Sequence, residues 1–313
     1  MTENPTHSAL IITNPQSGNG RGPELAVRAS DALRADGWDA EAVVTEGPGD
    51  ATRIARERAP QFGVVFSCGG DGTLNEVISG IVDHDVTVGV VPAGTANDLA
   101  RTVGISLAPA EAIAHLTPGH SEPIDLLEID DGDAWSAVAV GAGIDARTVQ
   151  RAREMGTVLD GRAAYLAAVT TELGEQILTR MAIEVDDRRW EGDTLFVQVA
   201  NCPNHGGGFT VAPGARIDDG LLDVVLVEAV GRARALEMIP LIYAGKHVEA
   251  PEVHRWRARR VRIAQPAGNP MIIDGEVTQR ASLQTRIAPK RVSLWVPDQV
   301  TDSRSGAAGD PAQ

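Results

Sequence analysis

The first 125 or so residues alternate short apolar runs with amphipathic stretches, and that alternation restricts the fold more than any other feature of the chain. "SALIITNP", "DAEAVVTEG", "FGVVFS" and "VTVGVVPAG" are aliphatic, β-branched runs bounded by Gly, Pro and Asn, and they read as strands. Between the first two, "GPELAVRASDALRADG" reads as a helix with Pro23 in its first turn and Gly37 at its end. "DATRIARERAP" and "TLNEVISGIV" are further helices, and another is expected from about Ala96. Strands that alternate with helices predict a parallel, three-layer α/β sheet. Ligands bind such sheets beyond the carboxyl ends of the strands.

The rhythm changes after about Asp125. "AWSAVAVGAGID", "MAIEVDD", "DTLFVQVANC", "GLLDVVLVEAV", "RRVRIAQP", "PMIIDGEV" and "ASLQTRIAP" are mostly strands, with helical stretches near 161–179 and 231–244. Strands in series with turn residues between them predict an antiparallel β-sandwich. The expected organisation is an α/β domain over 1–126 completed by 290–301, then a β-rich domain over 127–289. The tail 302–313 is small, polar and aperiodic, so disorder is expected there.

Composition excludes several classes. With 43% hydrophobic and 23% charged residues the chain reads as soluble and globular. No apolar run approaches the roughly 18 residues needed to cross a bilayer. The start, "MTENPTHSALIITNP", has no basic segment followed by an apolar one, so a cytoplasmic location is expected. Cys68 and Cys202 make neither a disulfide framework nor a zinc site. A net charge of −15 argues against nucleic acid, because counterion release needs a basic face.

Three glycine-containing loops carry the chemistry. In "CGGDGTLNEVISGI", Thr73 and Glu76 have capping-box spacing, and Leu74, Val77, Ile78 and Ile81 share a helical face. Glycines just before a helix let the backbone approach an anion and aim N–H groups at it. Asp71 is wrong for phosphate alone but suits phosphate accompanied by a divalent cation. "VTVGVVPAGTANDLAR" repeats the form, with Gly94 leading to Thr95 and with Asp98 at capping distance from it. In "IITNPQSGNGRG" a strand runs into Asn14, Pro15, Ser17, Gly18 and Gly20. In a parallel sheet all three loops leave one edge, where their convergence would form a phosphate cleft.

"NPQSGNG", "GGDGTLNEV" and "PAGTANDLAR", in this order, resemble the diacylglycerol kinase catalytic-domain family, which includes bacterial diacylglycerol kinases, YegS-like lipid kinases and sphingosine kinases. "VGAGIDA" at 140–146, "ANCPNHGGGFTVAPGARIDDGLLDVVLV" at 200–227 and "IIDGE" at 272–276 extend the resemblance over about residues 9 to 296. The implied fold is NAD kinase/diacylglycerol kinase-like, an α/β nucleotide-binding domain plus a β-sandwich. The implied reaction is ATP-dependent phosphorylation of a lipid hydroxyl.

By this resemblance Asn14, Ser17, Gly18, Thr45, Gly69, Gly70, Asp71, Gly72, Thr73, Asn75 and Thr95 approach ATP. Asp71, Asp98 and Asp125 lie near a catalytic Mg2+, and Glu276 is the general base with Asp274 beside it. Asp-Gly in "MIIDGEV" also predicts a type I′ hairpin turn, a good mount for an exposed carboxylate. In "ARIDDGLLDV" the resemblance implies a structural Mg2+ held by the Asp219 side chain and the carbonyls of Arg216 and Leu221. Base and nucleotide would then lie on different domains, with the reaction in a cleft between them.

His205 has no partner at useful spacing and reads as a surface or loop histidine. "HRWRARRVRI", locally basic with Trp256, reads either as the solvated face of a strand, the favoured reading, or as a contact for anionic lipid head groups. A lipid substrate implies peripheral membrane contact, and a homodimer is left open. Two other readings compete: a NAD kinase-like enzyme, which shares "GGDGT", and a nucleotide-binding regulator without turnover. "GTANDLAR" and the late "DGE" argue against the first, and intact Asp71, Asp98, Asp274 and Glu276 against the second.

Overall fold

Strands β1 (Ser8–Thr13) and β3 (Val64–Gly69) are buried along their whole length, which is why their sequences run continuously apolar instead of alternating. They lie side by side inside a six-stranded sheet in a computed structural model that describes residues 7–155, 167–173 and 178–300. The tail expected to be disordered, 302–313, and parts of the helical stretch expected near 161–179 lie outside the described residues.

The chain divides into two units. One runs to Ile124 and resumes at Lys290; the other is Asp125–Pro289. The first contains β2 (Asp39–Val44), β4 (Thr87–Pro92), β5 (Gly119–Ile124) and β17 (Val292–Pro297), in the order β2-β1-β3-β4-β17-β5. All neighbours are parallel except β17 and β5. Thr13 pairs with Cys68, Cys68 with Val91 and Gly69 with Pro92, so β1, β3 and β4 end level and their loops leave one edge. The strand order reverses between β1 and β3, the place where an open parallel sheet holds its ligand. Ile11, Phe66 and Val91 pack with Leu25, Ala29 and Leu33 of the helix Gly22–Ala35 to form the core on one face.

Two helix starts differ from the expected ones. The helix Asp71–Ile81 begins two residues before Thr73, with no side-chain cap. Glu76 instead reaches the helix Asp50–Arg58, where its carboxylate accepts the N–H groups of Gly49 (3.0 Å) and Ala51 (3.1 Å). Unsatisfied donors and the positive end of that helix dipole draw it there. The helix Asp98–Val103 starts after a left-handed Asn97, whose side chain holds both the N–H and the carbonyl of Gly94, so Thr95 is not its cap.

The second unit is antiparallel throughout. Its strands are β6 (Leu127–Ile129), β7 (Ala134–Ser136), β8 (Ala139–Gly143), β9 (Thr179–Val185), β10 (Arg188–Ala200), β11 (Leu222–Glu228), β12 (Val253–Ala258), β13 (Arg260–Ala264), β14 (Pro270–Ile273), β15 (Glu276–Gln279) and β16 (Ser282–Ile287). The long strand β10 pairs with β9 along its first half. From Thr194 it pairs with β11, with an irregularity between Thr194 and Phe196, and from Phe196 also with β8. Val140, Met181, Val197, Leu226 and Ile263 fill the core inside. In β12 and β13, Arg255, Arg257, Arg260 and Arg262 face solvent while Ala258, Val261 and Ile263 are buried, the solvated strand face expected there.

Candidate active site

The three loops of the first unit meet. Ser17–Gly20 is a single turn in which Gly18 (φ 62°) and Asn19 (φ 57°) are left-handed. The Asn14 carbonyl closes it by accepting the Ser17 N–H at 3.0 Å. A Cβ on Gly69 would lie 3.1 Å from Ser17 Oγ and 2.6 Å from Thr73 Oγ1. Gly70 and Gly94 lie back to back: a Cβ on Gly94 would fall 2.3 Å from the Gly70 Cα. Neither position can carry a side chain without moving backbone. Thr45, buried behind the first loop, donates its N–H to the Thr13 carbonyl at 2.9 Å. Gly94 and Thr95 are exposed, Gly70 and Gly72 partly so, and the strands beneath are buried. The result is an accessible backbone cradle with helix starts on it, suited to phosphate.

Asp71 opens one helix and Asp98 opens the next. The Asp98 N–H donates to Asp71 Oδ1 at 2.8 Å, so the second and third loops are tied through a carboxylate. Both acids sit in first turns, where the helix dipole favours negative charge. Among the described residues no three Asp, Glu, His or Cys side chains gather to hold a cation alone. Mg2+ needs only one or two carboxylates when phosphates and water complete its shell, so Asp71 and Asp98 fit it. Asp125 belongs to the second unit and is 1% exposed. Its Oδ2 accepts the Gly220 N–H and its own N–H donates to Ile217, each at 2.6 Å.

The loop Arg216–Leu221 closes differently from the pattern the resemblance implies. Asp219 accepts the Leu221 N–H with one oxygen (3.1 Å) and the Arg257 guanidinium with the other. Arg257 also lies 3.6 Å from Asp223, and Arg216 pairs with Asp218. Both oxygens of Asp219 are engaged and its charge is countered by arginine. These residues do not fit a structural cation, and we assign none to this loop.

Asp274 and Gly275 link β14 to β15 with positive φ at both positions (45° and 80°), the type I′ turn that Asp-Gly predicts. Asp274 is 5% exposed. Its carboxylate accepts Ser136 Oγ–H (2.5 Å) and the N–H groups of Ala137 (3.0 Å), Val138 (3.1 Å) and Ala139 (3.0 Å). It therefore faces backbone. Glu276, two residues on, opens β15 opposite Ile273 and is exposed.

The sequence reading missed a cavity. About 80 Å³ in volume, it lies in the second unit among Ile144, Leu195, Phe196, Val211, Ile239 and Ile242. Asp145, Gln198 and His205 also line it. Asp145 Oδ2 and Gln198 Nε2 are buried without a hydrogen-bond partner, which calls for a ligand or a water. Gln198 is the cross-strand partner of Gly141, and a Cβ on Gly141 would lie 2.6 Å from Asp145 Oδ2. The carboxylate thus fills the space of a missing side chain, on the sheet face that Gln198 shares. Burial pushes the Asp145 carboxyl up to about 6, against the pull of nearby His205. His205 lies in the loop between β10 and β11, as expected, but it is buried and bridged to Phe209 instead of standing on the surface. "VGAGIDA" marks Asp145, but no local pattern shows which sheet face will enclose a cavity.

Residues 8–129 match the diacylglycerol kinase catalytic domain, and residues 138–296 match the YegS C-terminal NAD kinase beta sandwich-like domain. The chain is 31% identical over 271 residues to "Diacylglycerol kinase" of Mycobacterium tuberculosis, covering 85% of this chain and 87% of that one. It is 32% identical over 295 residues to "Probable lipid kinase YegS-like" of Pseudomonas aeruginosa, covering 92% and 93%. The crystal structure of a diacylglycerol kinase from Bacillus anthracis str. Sterne has the same fold, with a TM-score of 0.72 at 21% identity over 95% of this chain and 99% of that one. A phosphate cradle on an α/β sheet, followed by an NAD kinase-like sandwich, defines a class of kinases. Within it, this chain belongs to the diacylglycerol kinase/YegS-like lipid kinase family. That membership sets aside the NAD kinase-like reading.

Proposed function

We propose that this protein transfers the γ-phosphoryl group of ATP to a lipid hydroxyl, with Glu276 as general base. The back-to-back approach of Gly70 and Gly94, with Asp71 tied to Asp98, carries this reading. Backbone at Gly69–Thr73, with Asn14, Ser17, Gly18, Thr45, Asn75 and Thr95, holds the nucleotide. Asp71 and Asp98 would hold Mg2+ jointly with the phosphates, and the bound ion would supply charge neutralisation at the transferred group. Asp125 acts one step removed, by fixing Gly220. Glu276 accepts the lipid hydroxyl proton as the O–P bond forms. Asp274 is a positioning residue that fixes the turn carrying Glu276. The test is label transfer from γ-labelled ATP with Mg2+ into a panel of lipids and NAD. Label in lipid is expected; label in NAD alone, or ATP bound without any product, would overturn the reading.

The cradle makes its own prediction. Gly94→Ala puts a methyl group 2.3 Å from the Gly70 Cα, so the two loops must separate. ATP affinity is expected to fall by about five- to 150-fold, as overpacking costs of about 1–3 kcal/mol imply. Titration calorimetry measures it, and an unchanged affinity would count against the cradle.

The cavity points to the substrate class. It is smaller than the roughly 150 Å³ that admits benzene, so as it stands it takes a segment of one chain. Asp145 Oδ2 wants a donor and Gln198 Nε2 wants an acceptor; a hydroxyl supplies both. A lipid with a second free hydroxyl, such as a monoacylglycerol, should therefore be favoured over diacylglycerol. Asp145→Ala is expected to cut that preference in kcat/KM by about tenfold or more, the worth of a charged hydrogen bond. The same group has an acid signature. Its carboxyl is raised from 3.8 to about 6 in the folded chain, which therefore holds the proton more tightly than the unfolded chain. Stability contributed by Asp145 falls as pH rises from about 4 to about 6, and Asp145→Asn should flatten that slope in melting curves.

A further inference from the structure

The helix Arg232–Tyr243 is apolar round most of its circumference. On one side Ala235 and Met238 are buried, and Ile239 and Ile242 line the cavity. On the other, Leu236, Pro240 and Tyr243 are exposed at i, i+4 and i+7, which makes one stripe. Leu236 is 41% exposed and Tyr243 49%. With Leu178 they are the exposed large hydrophobic residues of the second unit among those described. Leu178 lines an adjoining recess with Arg232 and Ala235, and Tyr243 stands edge-on to the cavity residue Phe209 at 5.6 Å. A helix that is apolar all round is normally covered on all sides.

Charge indicates the cover. The chain carries −15, yet between Arg232 and Lys246 three cations face one carboxylate, and Lys246 is one of only two lysines. Arg234 is paired with Glu237 and Glu252. Arg232 and Lys246, at the two ends of the stripe, are in no ion pair among the described residues. An apolar stripe with a cation at each end that is unpaired among the described residues matches a bilayer surface, where apolar groups enter the acyl region and cations meet phosphates. A second copy of the chain is a poorer fit. Three large side chains fall well short of the roughly 800 Å² per partner of a stable interface.

We infer that the helix Arg232–Tyr243 is the surface by which this protein docks on a bilayer, with Leu236, Pro240 and Tyr243 in the acyl region beside the cavity. The choice of a bilayer rests on the lipid-kinase reading: the substrate of such an enzyme resides in a membrane. One helix then serves two environments, lipid on its outer stripe and the cavity on its inner one.

The test is flotation of the full chain with phosphatidylcholine vesicles, with and without phosphatidylglycerol. The wild type should float, and Leu236→Glu should lower partitioning about tenfold or more, as loss of one buried leucine implies. Tyr243→Glu should do the same, and two variants at separate positions guard against a local folding defect. Arg232→Glu with Lys246→Glu should remove only the gain from phosphatidylglycerol. Leu236→Glu should phosphorylate a short-chain lipid alcohol dissolved in buffer at the wild-type rate, and the vesicle-borne lipid more slowly. A wild type that does not float, or Leu236→Glu floating like it, would overturn the inference. So would equal loss on dissolved and vesicle-borne lipid, or a wild-type dimer that Leu236→Glu dissociates. Flotation needs no turnover, so failure of the kinase reading and failure of docking are told apart.

Discussion

If Glu276 is the general base proposed above, Glu276→Gln is expected to lower kcat by about 10²–10⁴-fold, the usual worth of a positioned general base, and to leave the melting temperature and ATP affinity near the parent's. The asymmetry follows from where the residue sits. Glu276 is exposed at the start of β15, and its backbone pairs with Ile273 whatever its side chain carries. Glutamine keeps the shape and removes the carboxylate that the proposed role needs to accept the lipid hydroxyl proton. Single-turnover label transfer with saturating ATP isolates that step. A Gln variant within a few-fold of wild type would remove Glu276 from the role. A variant that also lost ATP binding would show that the side chain belongs to the nucleotide site instead.

The signals that were legible in the sequence are local ones. Burial on both faces makes β1 and β3 continuously apolar, and the parallel sheet they imply sends their loops off one edge. The Asp274–Gly275 turn declares itself through a backbone that needs positive φ twice. Partners far apart in the chain declare nothing. Glu76 has the spacing of a capping box, yet its carboxylate satisfies donors at Gly49 and Ala51, because another helix start lies nearer than its own. Asp219 sits in a loop that resembles a cation site, and only the register of β11 against β12, with Asp223 opposite Arg257, brings a guanidinium there. Asp145 and Gln198 become neighbours through the pairing of β8 with β10. In each case the residue is visible in the sequence, and its role depends on which strand or helix the fold places beside it.

Asp274 is the strongest instance and yields the largest expected loss of stability. Its carboxylate holds three consecutive backbone N–H groups, Ala137 to Ala139, and the Ser136 hydroxyl, from a turn more than a hundred residues further along the chain. Asp274→Ala strands three buried donors at about 1–3 kcal/mol each before relaxation. A net loss of about 3–5 kcal/mol places it among the most damaging single substitutions. The melting temperature should drop by roughly 10 °C for a chain of this size. Activity falls too, because the turn that aims Glu276 loses its anchor. Asp274→Asn keeps one acceptor oxygen but turns an amide toward donors, so it should fall between. The pair of variants separates two roles that adjacent carboxylates are easily assumed to share. Glu276→Gln loses rate and keeps stability, whereas Asp274→Ala loses both. An Asp274→Ala protein that melted like wild type yet could not transfer phosphate would put this carboxylate on the substrate. The backbone bonds of residues 137–139 would then not be its main purpose.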